Sequence, residues 1–163
     1  MTELIAPTLA TLSEQPQVKQ AMLFLERDAG RTLEQQLALT TIEAPPFKEA
    51  ARAAHFRDLL SQAGLPDARV DAEGNVIAVR KGMGTGAPVL VLSAHLDSVF
   101  PEGTDVTIKQ KDGRYYAPGI RDDTRGLAAV LAVARAFADA NVQTVGDVWF
   151  VGTVGEEGLG NLR

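Results

Sequence analysis

The chain has 163 residues, with 16 Lys and Arg against 21 Asp and Glu, a net charge of −5 and no cysteine. At this length one ordinary core can form without disulfides. The acidic balance argues against a nucleic-acid partner, and zero cysteine excludes disulfide frameworks and thiolate zinc sites, so any metal must be held by carboxylates and by His55 or His95.

Glu3 stands where a secretory signal would carry positive charge, and no apolar run approaches the ~18 residues of a membrane span. A soluble cytoplasmic protein with no membrane partner is expected. From Gln17 to Ala29, Val18, Met22 and Leu25 recur at helical spacing. Thr32 with Gln35 three residues on resembles a capping box opening a second helix through Leu37. Pro45 and Pro46 break the pattern, and Phe56, Leu59, Leu60 and Ala63 then mark one face of a helix over Phe47 to Ala63 that stops at Gly64.

Val70 to Ala72 and Asn75 to Val79 flank a Glu73-Gly74 turn, as in a hairpin. Gly82, Gly84 and Gly86 form a loop. The string lacks the full dinucleotide fingerprint and leads into a strand instead of a helix, so a nucleotide-binding domain has only weak support.

Pro88 to Ala94 is almost wholly apolar, which predicts a central strand buried on both faces. Val106 and Ile108 alternate with polar residues, and Asp112-Gly113 then supplies turn chemistry before Arg114 to Tyr116, predicting an exposed hairpin. From Gly126 onward Leu127, Val130, Leu131, Ala134, Phe137 and Ala138 share one stripe of a helix. Asp147 to Thr153 predicts a second buried strand. Strand, helix, strand implies a right-handed crossover and a three-layer α/β/α architecture. The sheet is expected to be mixed because the hairpin near Val106 to Tyr116 is antiparallel.

Three polar clusters fall where buried elements end, the position at which ligand sites form in open α/β sheets. In His95-Leu96-Asp97 the strand period puts both polar residues on one face, so Asp97 can accept from one imidazole nitrogen while the other binds a metal. The bland alternative is a hydrogen-bonded core histidine beside an exposed aspartate. Asp122-Asp123 opens a helix, where one carboxylate suffices as a cap and a second could bridge two metal ions. Glu156-Glu157 follows a strand; the pair is either two solvated acids, or a ligand beside a free general base.

The strings SAHLDSVF (Ser93 to Phe100), APGIRDDTRG (Ala117 to Gly126) and GTVGEEGLG (Gly152 to Gly160) resemble the three N-terminal signatures of the two-zinc exopeptidases and deacylases related to peptidase T, glutamate carboxypeptidase, aminoacylase and acetylornithine deacetylase. The resemblance implies that His95 binds one zinc, Asp97 orients His95, Asp122 bridges both zincs, Glu156 is the general base and Glu157 binds the second zinc. It also implies a cis peptide between Asp122 and Asp123, and two zinc ions in the complete enzyme, with cobalt or manganese as alternatives. Substrates would be small peptides or N-acyl amino acids, and the full-length protein would be a homodimer.

The family site needs a further carboxylate and a further histidine beyond the Glu-Glu pair, as well as a smaller dimerisation domain. None of these is in the sequence, so the chain is expected to be an inactive N-terminal portion of a catalytic domain. His55, beside Phe56, suits a surface or packing role better than that of the missing histidine. Arg121 and Thr124-Arg125 depart from the small residue and lysine common at those positions in the family. A noncatalytic metal-binding or assembly module is the alternative from another class.

Overall fold

The structure, a computed structural model, describes residues 2–158. Five helices are present among them: α1 (Thr2–Glu14), α2 (Pro16–Arg27), α3 (Ala29–Thr40), α4 (Ala50–Gln62) and α5 (Thr124–Asp139). Six strands accompany them: β1 (Arg69–Val70), β2 (Val76–Arg80), β3 (Leu90–His95), β4 (Lys109–Lys111), β5 (Arg114–Tyr116) and β6 (Val148–Thr153). Sequence patterning did not mark α1, whose described side chains from Pro7 onward are exposed. Helix α2 has Pro16 in its first turn, where a missing N–H costs nothing. Helix α4 ends as expected at Gly64, whose φ of 93° is one that L side chains avoid.

The main sheet has the order β1-β2-β6-β3. β3 and β6 are parallel, joined through α5, while β2 runs antiparallel to β6. The sheet is therefore mixed, but not because of the hairpin: β4 and β5 form a separate two-stranded sheet, and Val106 to Ile108 lie outside any strand. β3 is not the central strand either. It pairs with β6 alone, and Leu90 and Val91 are 53% and 52% exposed. An apolar run reports the chemistry of its own side chains; which strands flank it is a tertiary property.

One face of the sheet supplies Val76, Ala78, Val148 and Phe150 to the core, which Phe56 and Leu60 of α4 and Leu127 and Leu131 of α5 complete. The two helices touch each other over this face, and Phe137 meets Phe150 edge to face at 6.3 Å. Gly152 lets α4 approach: an added Cβ would lie 2.9 Å from Phe56 Cδ1 and 3.2 Å from Leu96 Cδ2. Helices α2 and α3 pack in turn against α5.

The expected capping box at Thr32 and Gln35 does not form. Helix α3 already begins at Ala29, and a buried cation draws both side chains elsewhere. Arg135 of α5 donates to Asp28 Oδ2 (2.5 and 2.8 Å), to Thr32 Oγ1 (3.0 Å) and to Gln35 Oε1. In the glycine loop, the N–H groups of Gly82, Met83 and Gly84 are taken by Asp147, Thr144 and Val145, so the loop is closed on the chain itself.

Candidate metal centre

His95 is the last residue of β3, and the segment after it stays paired to β6 through Leu96 N–H donating to Thr153 O at 2.7 Å. Its imidazole is nearly buried, and both ring nitrogens face acceptors. Nε2 lies 2.9 Å from Asp122 Oδ1, and Nδ1 lies 3.1 Å from the carbonyl oxygen of Asp97. The Asp97 carboxylate stands 3.6 Å from Nδ1, beyond hydrogen-bond reach, and acts on the ring as a neighbouring charge. The expected hydrogen bond from the imidazole to the Asp97 carboxylate is therefore replaced by one to the Asp97 main-chain carbonyl. Asp97 first and then Asp122 raise the imidazole pKa to about 9 against the opposing effect of burial.

Asp97 is fully buried, which rules out the bland reading of an exposed acid. Burial pushes its carboxyl pKa up, but His95 and backbone donors outweigh that effect and hold it at about 2. Those donors are the N–H groups of Glu156 (3.3 Å) and Glu157 (2.7 Å). The turn that delivers them passes through Gly155 at a φ of 77°. One buried carboxylate therefore ties the end of β3 to the loop after β6.

The Asp122-Asp123 pair divides its work. The peptide between them is cis, as expected. Asp123 is the N-cap of α5, its Oδ1 accepting from Gly126 N–H at 2.9 Å, while its Oδ2 accepts from His95 N–H at 3.2 Å. Asp122 is free of that duty and turns its exposed carboxylate to the imidazole.

Glu156 Oε2 comes within 3.9 Å of His95 Nε2. One ligand-type atom each from His95, Glu156 and Glu157 lies within 4.8 Å of the others. The Glu157 pKa is raised by partial burial and by the Asp122 charge, partly offset by His95. An imidazole whose ring is set from behind, with carboxylates gathered on its other side, is the donor set that zinc and similar divalent cations accept. The residues present fit such an ion. His55 stays half-buried on α4 and joins no metal-type cluster among the described residues. Leu159 and Gly160, the end of the third signature, lie outside the described residues.

Sequence reasoning missed Arg52. Only 1% exposed, it donates from Nη1 to Leu96 O at 2.6 Å and from Nε and Nη2 to Ile42 O at 3.0 and 2.5 Å. Burial lowers its pKa to about 10, with the Asp97 charge opposing. Its position was a signal: Arg52 lies one turn before Phe56, on the apolar stripe of α4, where an unpaired cation would not be tolerated.

The mixed α/β sheet thus carries this cluster at the ends of β3 and β6 and at the start of α5. Residues 91–162 match the sequence model of Peptidase family M20/M25/M40. The chain is 36% identical over 114 residues to a protein of Pyrobaculum aerophilum described as a LysW-lysine/LysW-ornithine hydrolase, covering 70% of this chain and 30% of that one. It is 37% identical over 102 residues to succinyl-diaminopimelate desuccinylase of Leptothrix cholodnii, covering 58% and 25%. Among solved structures, a tripeptidase of Staphylococcus aureus superposes with a TM-score of 0.64 at 27% identity, covering 78% of this chain and 36% of that one. The chain thus spans about a third or less of the length of these proteins.

Proposed function

We propose that residues 1–163 form the N-terminal portion of a zinc-dependent catalytic domain that hydrolyses amide bonds in small peptides, and that this portion is inactive alone. The observation that carries the reading is convergence on His95 from distant segments: one ligand-type atom each of His95, Glu156 and Glu157 lies within 4.8 Å of the others, and Asp122 Oδ1 lies 2.9 Å from His95 Nε2. In this reading His95, Asp122 and Glu157 would hold the metal. A bound divalent metal supplies a lowered pKa for water and polarisation of the scissile carbonyl.

The remaining work falls to the chain itself. Asp97 keeps the imidazole ring oriented and the Glu156-Glu157 turn in register with it. Glu156, the more exposed of the two glutamates, takes the proton of the attacking water and returns it to the leaving amine. N-acyl amino acid deacylation is the second reading, favoured by the relative named as a desuccinylase. Cobalt or manganese could replace zinc in either reading, and the full-length protein would be a homodimer of the cytoplasm. Among the described residues no helix is long and apolar enough to cross a membrane.

The test is zinc content after dialysis against trace metal. The chain is expected to retain zinc, Glu156→Gln to retain it equally, and His95→Ala and Asp122→Asn to lose most of it. In the full-length protein Glu156→Gln should abolish turnover. Full turnover by that variant would remove Glu156 from its role, and zinc retention by His95→Ala would remove the centre.

A further inference from the structure

The second signature carries two arginines, Arg121 and Arg125, on either side of the Asp122-Asp123 pair. Both face a cavity of about 430 Å3 that the metal reading does not use. Arg114 of β5 enters it from the hairpin, with Tyr115 and Tyr116 alongside, and no acid lines it. Among the described residues none of these three guanidinium groups is in an ion pair, although the chain as a whole is acidic.

The arrangement is built from beneath. Gln36 of α3, 9% exposed, donates from Nε2 to Ile120 O at 2.7 Å, which fixes its amide; Oε1 then accepts from Arg125 Nη1 at 3.3 Å. A buried amide is thus committed to orienting a guanidinium at the cavity wall. Three like charges facing one space repel one another, and an anion between them removes that repulsion. The planar fork of each guanidinium matches a carboxylate, and the two phenols add neutral donors.

Resting on the proposed amide-hydrolase reading, we infer that this cavity is an anion subsite beside the metal centre and takes the carboxylate groups of an acidic amide substrate. Chain connectivity supports the placement. Arg121 precedes Asp122 directly, and Arg125 stands in the first turn of the helix that Asp123 caps, so the two walls of the cavity are tied through the main chain to the cluster. The β4–β5 hairpin, which contributes nothing to the main sheet, acquires a role as one wall of the subsite.

The test is equilibrium binding of succinate to the chain in EDTA and again in zinc, at about 0.15 M chloride so that general attraction is screened. Succinate is expected to bind one per chain with the same affinity in both conditions, at least tenfold more tightly than acetate. Arg121→Gln/Arg125→Gln should weaken it at least tenfold without changing zinc content. Arg114→Gln, on the exposed hairpin, should weaken it independently should the double variant fail to fold. Any of four results would overturn the subsite: no binding up to about 10 mM, unchanged binding in the folded variants, binding only with zinc present, or equal affinity for acetate. Zinc content, read separately, tells whether the metal reading stands or falls with it.

Discussion

Gly126 offers the sharpest test of how the site is assembled. It is the third residue of α5, and a Cβ built on it would lie 2.5 Å from Asp123 Oδ2 and 2.6 Å from Cγ, so Asp123 would have to rotate away. The rotation removes two bonds, the cap to Gly126 N–H and the link to His95 N–H. Loss of an N-cap costs about 1 kcal/mol. A hydrogen bond to a charged acceptor contributes about 1.5 kcal/mol at the lower end of its range, which suits the longer 3.2 Å contact. Against these, replacing glycine by alanine inside a helix gains about 1 kcal/mol. Gly126→Ala should therefore destabilise by about 1.5 kcal/mol in urea unfolding of the metal-free chain. In the Asp123→Ala background, where the carboxylate is gone, the same change should stabilise by about 1 kcal/mol. The reversal of sign is the signature. Equal effects in both backgrounds would mean that Asp123 does not hold the helix and β3 together.

Three further outcomes are expected. Arg52→Met leaves the Ile42 and Leu96 carbonyls without their buried donor and should cost about 2–4 kcal/mol, with Arg52→Lys recovering only part; a loss under about 0.5 kcal/mol in urea unfolding would show that the guanidinium is dispensable. Gly152→Ala should cost about 1–3 kcal/mol, because its methyl meets Phe56 and Leu96 inside a packed core, and an unchanged urea midpoint would refute that close approach. Stability of the metal-free chain should also depend on pH. His95, raised from 6.5 to about 9, contributes stability that is complete below 6.5 and disappears as pH rises through 9. Asp97, lowered from 3.8 to about 2, contributes stability that is complete above 3.8 and disappears as pH falls through 2. A plateau between about pH 4 and 6.5 is expected, with a loss on the order of 3 kcal/mol on the alkaline side; a His95→Gln variant with the same alkaline slope would detach it from the imidazole.

The elements easiest to read were those whose signal is local. The Leu127 to Phe137 stripe and the apolar run ending in Thr153 each became the element expected, because periodicity and burial agree there. Pairings were less legible. The run Pro88 to Ala94 forms a strand, yet nothing in its own residues says that it would flank β6 on one side only. Thr32 and Gln35 have capping-box spacing, but a cation 103 residues further along, Arg135, competes for Thr32 and wins. Arg52 was readable in principle as a charge on an apolar face, and its partners, two main-chain carbonyls, were not.

The paired acids explain why motifs pointed to the site and yet left its roles open. Adjacent residues cannot occupy the same place, so each pair must split, and tertiary contacts decide how. Asp123 and Asp97 turn to backbone N–H groups of other segments, those of His95, Glu156 and Glu157. Asp122 and Glu156 are left facing the imidazole. The inner carboxylates fasten the three segments to one another, while the outer ones carry charge on the exposed side of His95. This ordering accounts for a cluster assembled by protein contacts alone: the charge that a cation would neutralise is concentrated only where buried hydrogen bonds already hold the backbone in place.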